Sequence, residues 1–241
     1  MNDITDETNG YYYRLKDNRD DRFICQYMRL DYLIQLLETQ YYYANRRKNF
    51  NDAKEINNEV KMIFNPKSVW EKNKYSPKAP ERTFSYKQIE NCPTACWSKN
   101  KREDFLMWKC YATEIGACIK STVYKVIDSI KIRHSKESNN WIICGSMDYT
   151  NIKPSLDVEK QLFDKDKAYS SEKEFRFYFH LPSCDTNDNA SGILIPVNTN
   201  VMIDEIILSP FIRKETANSL ARIIKKAYNI EVKQSSIKLK L

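Results

Sequence analysis

The sequence predicts an α+β fold, a single domain in which a central mixed, largely antiparallel sheet is flanked by helices. Three observations predict it. Phe175, Phe177, Phe179 and Leu181 alternate with polar residues, the two-residue period of a strand with unlike faces. Ala217, Leu220, Ala221, Ile224 and Tyr228 recur at helical spacing. Strand-like and helical runs follow one another without an internal repeat or a linker, so the 241 residues are read as one domain.

In chain order, residues 1–21 read as a polar N-terminal arm and residues 22–241 as the domain. A strand over 23–28 leads into a helix over 31–39, where Leu30, Leu33, Ile34 and Leu37 share a face. Tyr41, Tyr42 and Tyr43 make a second strand of β-preferring residues. Asn49-Phe50-Asn51-Asp52 then offers caps to a helix over 52–63 with Ala53, Ile56, Val60 and Ile63 on one side. Pro66, Pro77 and Pro80 mark 65–91 as an exposed loop or insertion. A strand over 94–98, a helix over 104–112 capped by Asp104, a strand over 117–120 and a helix over 122–129 follow. Segments 130–133 and 141–149 look like a strand pair, and Pro154 starts a helical stretch to about 166. Strands near 173–181, 193–197 and 203–208, the helix over 214–228 and short strand-like pieces complete the chain.

Composition excludes several functions. The four glycines, Gly10, Gly116, Gly145 and Gly192, are isolated, so neither a dinucleotide fingerprint nor a P-loop can be written. Seven cysteines, an odd number in mostly apolar runs, read as buried free thiols in a reducing cytosol. Cys92 and Cys96 are spaced CxxxC with only His134 and His180 to join them, so no metal site is expected. The N-terminus is acidic and polar without an apolar signal segment, and no run reaches the roughly 18 apolar residues of a span. A cytoplasmic protein is expected. The net charge of +7 concentrates in 45–103, with 14 Lys/Arg against 7 Asp/Glu, and in 210–241, with 8 against 2. Such stripes suit a solvated lysine-rich surface or weak, non-specific binding of nucleic acid, with Trp70, Tyr75, Tyr86 and Trp97 as stacking surfaces.

Three groups of residues carry chemistry. Glu174, Arg176, Tyr178 and His180, with Glu172 continuing the set, share the polar face of the 173–181 strand. That face is either solvated, as in many antiparallel strands, or part of a site. Trp108 and Tyr111 are three apart on a helix that precedes Gly116, for packing or for ligand contact. Asn51, Asp52 and Glu55 form a turn and cap, or a second binding segment. A nuclease would require Asp52, Glu55, Glu172 and Glu174 to gather around Mg²⁺.

These segments together resemble the bacterial family called domain of unknown function 2971, found widely in bacteria and their mobile elements. The resemblance covers about 22–230 and runs through Tyr27, Asn49-Phe50-Asn51-Asp52 with Glu55, Cys96-Trp97-Ser98, Met107-Trp108 with Tyr111-Ala112 and Gly116, and Lys167-x-Tyr169-x-x-Glu172-x-Glu174-x-Arg176. It ends at Ile203-Asp204-Glu205-Ile206-Ile207-Leu208-Ser209-Pro210. Ala53 stands where that family often has Pro, and Ser209 where Gly is common. The layout also looks like that of ADP-ribosyltransferases, whose Glu-x-Glu pair is matched in form by Glu172-Lys173-Glu174. No Ser-Thr-Ser motif occurs on a middle strand, and Gln26-Tyr27 stands where an early Arg or His is usual. The resemblance implies NAD as co-substrate, Glu174 acting at the nicotinamide ribose, Glu172 toward an unidentified acceptor, and a toxin or phage-defence setting. Arg176 would pair with a carboxylate or hold a phosphate, and Tyr27, Asn51, Asp52, Glu55, Trp108 and Tyr111 would line the nucleotide site. The alternative is a nucleic-acid- or nucleotide-binding module without catalysis.

Overall fold

The computed structural model describes residues 3–4, 12–15, 23–50, 91–132, 140–150, 162–182, 184–187 and 189–239. The first half of the chain supplies β1 (Asp3–Ile4), β2 (Tyr12–Leu15), β3 (Phe23–Arg29), α1 (Leu30–Thr39), β4 (Tyr41–Arg46) and β5 (Pro93–Ser98). The short helix α2 (Phe105–Met107) runs directly into a π-helical turn, Trp108–Ala112. Next come β6 (Gly116–Thr122), α3 (Val123–Asp128), β7 (Trp141–Ser146), β8 (Asp148–Thr150) and β9 (Asp164–Asp166). A 3₁₀ segment, Lys167–Glu172, leads into β10 (Glu174–His180) and β11 (Gly192–Pro196). Then follow α4 (Thr199–Met202), β12 (Glu205–Leu208), α5 (Lys214–Tyr228) and β13 (Glu231–Gln234).

The main sheet has the order β1-β2-β7-β10-β5-β3-β6-β12-β13, and β4 branches from β5 to pair with β11. β2–β7 and β12–β13 are parallel, and the other pairs of this sheet are antiparallel. β8 and β9 form a separate parallel pair. The mixed α+β architecture expected from the sequence is therefore observed.

β10 sits between β7 and β5 and divides the interior. Phe175 pairs with Trp97, and Phe177 with both Ala95 and Cys144. These apolar residues belong to the largest buried cluster, together with Leu33 and Leu37 of α1, Val126 of α3 and Ala217 and Ile224 of α5. Two smaller clusters lie elsewhere. One joins Ile143, Leu162, Phe163 and Tyr178, and the other joins Tyr27, Trp108, Ala112, Cys118 and Ile207.

Several boundaries differ from the sequence reading. Residues 3–4 and 12–15, read as part of an arm, pair as strands, and β2 lies along β7. Among the described residues, the expected pairing of 130–133 with 141–149 does not form. Ile130 instead makes an isolated bridge to Val197, and β7 has its two edges paired with β10 and β2. Residues 164–166, read as helical, are the strand β9. The helix expected over 52–63 and nearly all of the 65–91 segment lie outside the described residues. All seven cysteines are free thiols. Among the described residues, no helix is long and apolar enough to cross a membrane.

Candidate functional site

The polar face of β10 is covered. Segment 162–172 folds over it: Tyr178 donates its hydroxyl to Leu162 O, and the Phe163 and Tyr178 rings meet edge to face at 5.3 Å. Ser98 Oγ donates to Glu172 O at 2.7 Å, and Lys99 N to Lys173 O at 2.9 Å, which ties the end of the cover to β5. Lys173 takes the left-handed conformation, φ 45°, and there the chain turns from the 3₁₀ segment into the strand. Glu172 therefore lies before the strand, not on it, which corrects the five-residue polar face read from the sequence.

Under this cover lies a chain of charges. Arg176 grips Glu174 with two donors, Nε to Oε1 at 2.6 Å and Nη2 to Oε2 at 3.0 Å. Lys165 Nζ bridges the two carboxylates, at 2.8 Å from Glu174 Oε2 and 2.6 Å from Glu172 Oε2. Tyr111 donates its hydroxyl to Glu172 Oε1 at 2.7 Å. Burial deepens along this chain: Tyr111 is 46% exposed, whereas Glu174 is 5% and Arg176 1% exposed. Tyr149 reaches in from β8 and accepts a hydrogen bond from Glu174 N at 2.6 Å. The Arg176 guanidinium stacks over the Phe50 ring at 5.3 Å, and the Lys165 ammonium over Tyr169 at 4.7 Å.

The electrostatics follow from that wiring. Burial by itself would raise the Glu174 carboxyl, but the charge and hydrogen bonds of Arg176, joined by the Lys165 charge, outweigh it and bring the pKa down to about 2. Burial opposes the charge on Lys165, yet the carboxylates of Glu174 and Glu172 hold it well above its ordinary value. Burial, and then the hydrogen bond to Glu172, raise the Tyr111 hydroxyl. Burial pushes the Tyr149 hydroxyl up to about 12. Glu174 is thus a buried carboxylate held in its ionised form, and Glu172 is its partner nearer the surface.

Tyr27 and Trp108 meet edge to face at 4.9 Å. The Tyr27 hydroxyl accepts from Asp104 N at 3.0 Å, and Asp104 caps α2 by accepting from Leu106 N at 2.8 Å. The helix expected over 104–112 is α-helical only through Met107. From Trp108 the turn widens, and a Cβ on Gly116 would lie 2.1 Å from Ala112 O, so the π-helical turn rests directly on the β6 backbone. The two aromatic residues expected on one face part company: Trp108 is fully buried, with Nε1 donating to Glu103, and Tyr111 is half-exposed with its hydroxyl turned to Glu172.

No family model matches the chain, and no curated protein matches its sequence. Among solved structures the chain is similar to Thermus sp. 2.9 DarT in complex with NAD⁺, at 10% identity and a TM-score of 0.42, over 90% of this chain and 97% of that one. It is similar also to Thermus sp. 2.9 DarT in complex with ADP-ribosylated ssDNA, at 10% identity and a TM-score of 0.40, over 91% of this chain and 98% of that one. At this distance the likeness assigns no activity to the chain.

Of the residues singled out in the sequence, Tyr111, Glu172, Glu174 and Arg176 are joined in one hydrogen-bonded network. Tyr27 and Trp108 lie in the neighbouring apolar cluster. Asn51, Asp52 and Glu55 lie outside the described residues. His180, at the far end of β10, is the cross-strand partner of Trp141. Lys165, Tyr149 and Tyr169 were not foreseen as parts of the site. Lys165 gives no signal in sequence, because it falls in a polar stretch read as helix and its burial depends on contacts with Glu172 and Glu174.

Proposed function

We propose that the chain is an ADP-ribosyltransferase-like enzyme that uses NAD as co-substrate and works through Glu174 and Glu172. The observation that supports this reading is the graded carboxylate pair: one ionised, buried and gripped by Arg176, the other less buried and bonded to Tyr111. Bound NAD would supply a glycosidic bond whose pair of electrons leaves with neutral nicotinamide, so that positive charge develops on the ribose. Glu174 offers fixed negative charge to that ribose in a site of low dielectric, where such charge acts strongly. Glu172 takes the proton of the attacking water or acceptor hydroxyl as the new bond to the ribose forms. Arg176 is a positioning residue here, since its fork is committed to Glu174 and it is too deeply buried to hold a phosphate.

The described residues fit the ribose end of the dinucleotide, where carboxylates are wanted. Weak, non-specific nucleic-acid binding through the basic 45–103 stretch belongs to this reading as a surface property, and most of that stretch lies outside the described residues.

The test is nicotinamide release from NAD, with NAD binding followed by calorimetry. Wild type is expected to bind NAD and release nicotinamide. Glu174→Gln is expected to lose about 10²-fold or more in rate, and Glu172→Gln to impair transfer more than hydrolysis. Folded wild type that neither binds nor cleaves NAD ends the reading.

A further inference from the structure

Each of the four oxygens of Glu172 and Glu174 already accepts a hydrogen bond. Glu172 Oε1 takes Tyr111, and its Oε2 takes Lys165. Glu174 Oε1 takes Arg176 Nε, and its Oε2 takes both Arg176 Nη2 and Lys165. Glu174 is also 5% exposed, so a ligand hydroxyl reaches it only if one of these partners moves. Arg176 cannot readily be that partner. It stands on the same strand as Glu174, in the middle of the main sheet, and is more buried still. Lys165 differs from it in one respect that decides the matter. It belongs to β9, which among the described residues pairs with β8 in the small separate sheet, and it reaches the carboxylates from above the face of β10.

The position of its ammonium is informative. A single positive charge rests between two carboxylates, 2.6 and 2.8 Å away, with the Tyr169 ring 4.7 Å beneath it. Two anions and an aromatic face are what a cationic group requires of a binding site. Resting on the reading that these carboxylates act on the ribose of NAD, we propose that the Lys165 ammonium occupies the place of the cationic ribosyl–pyridinium end of the co-substrate, so that the cover 164–172 is an autoinhibitory contact that must withdraw before the dinucleotide can seat.

The withdrawn state is then a minor one in the free protein. Its fraction reduces the apparent affinity for NAD in proportion. Glu172 closes the 3₁₀ segment that follows β9 and adjoins Lys173, whose φ of 45° is the joint against the strand, so it moves least as β9 swings away and stays beside the site. Ser98 Oγ to Glu172 O and Asn100 Nδ2 to Ser171 O, at 3.3 Å, fasten this end while Lys165 withdraws.

The experiment uses the full chain and a non-hydrolysable NAD analogue with a carbocyclic ribose. Hydrogen–deuterium exchange of wild type is followed with and without the analogue, beside calorimetry of wild type and Lys165→Met, in which methionine keeps the length and removes the charge. Binding of the analogue is expected to speed amide exchange across 164–172, and Lys165→Met is expected to bind it about tenfold more tightly, as for an open state populated at about 10%. If the analogue binds while exchange across 164–172 slows or stays the same, the autoinhibitory contact is refuted and the proposed function stands. If the analogue does not bind folded wild type, both fall together. Should Lys165→Met fail to fold, the exchange measurement on wild type decides alone.

Discussion

At the scale of single residues, the site is a problem of buried charge. Glu174, Arg176 and Lys165 are all nearly inaccessible, and removing one member of such a set leaves the others uncompensated, which costs about 3–5 kcal/mol. Glu174→Gln is therefore a test of stability as well as of activity. The folded pKa of about 2 lies below the ordinary 4.5, so the unfolded chain takes up a proton at Glu174 before the folded one does. Its contribution is full above pH 4.5 and is lost as pH falls through 2. Urea unfolding of wild type across pH 2–5 is expected to show stability falling with acidity, and the part of that slope due to Glu174 should vanish in Glu174→Gln, which is less stable already at neutral pH. Parallel curves for the two proteins would show that Glu174 does not titrate as placed. The sequence displayed Glu174 and Arg176 on one strand face, because alternation is local, but it wrongly continued that face to Glu172. It did not display that the face is buried, since the cover comes from 162–172 and a lysine in such a stretch reads as solvated.

At the scale of elements, the π-helical turn Trp108–Ala112 is the part least legible beforehand. Its sequence, Trp-Lys-Cys-Tyr-Ala, carries an ordinary helical spacing, and the extra residue per turn appears only because Trp108 must enter the cluster around Tyr27 while Ala112 lies against Gly116. The turn ends in strain. Thr113 has φ 60° and ψ −166°, a backbone region that is nearly reserved for glycine and is poorly suited to a β-branched residue. Such strain persists where the surroundings over-determine it, and here it lies two residues beyond Tyr111, whose hydroxyl is bonded to Glu172. Thr113→Gly is expected to stabilise the protein by about 1 kcal/mol, seen as a rise of about 2–4 °C in Tm. Because Thr113 itself is exposed, little packing is lost in the exchange. A fall in Tm would mean that the threonine side chain contributes more than its backbone costs. By contrast α1 and α5 were legible almost to the residue, since each buries one amphipathic face against the main cluster, and that periodicity is written in the chain.

At the scale of the molecule, the sheet forks, and the fork supports the site. One edge of β5 is paired with β10 from Thr94 to Ser98, while its other edge is shared: Ser98 bridges Cys25 of β3, and Thr94 and Pro93 pair with β4. Between these two attachments β3 and β4 diverge, and the β5 carbonyl of Cys96 turns to a side chain. Gln26 fills the gap, with Nε2 donating to Cys96 O at 3.0 Å and Oε1 accepting from the Tyr42 hydroxyl at 2.9 Å. The residue standing where the resemblance led one to expect an Arg or His thus serves as a polar spacer of the fork, and no local pattern announces that role. Cys96 is the cross-strand partner of Arg176, so the fork lies one strand away from the charge network. Gln26→Leu keeps much of the volume and removes both hydrogen-bonding ends, leaving Cys96 O and the buried Tyr42 hydroxyl without this partner. A loss of about 2 kcal/mol or more in urea unfolding is expected, given about 1–3 kcal/mol for each buried polar group left unsatisfied. Adding Tyr42→Phe removes one of the two orphaned groups, so the double variant should recover part of the loss relative to Gln26→Leu alone. Strict additivity of the two single changes would show that Gln26 and Tyr42 are not coupled, and the fork would then rest on its apolar packing, with Tyr42 stacked on Trp97 at 6.4 Å and Trp97 against Phe177 at the same separation.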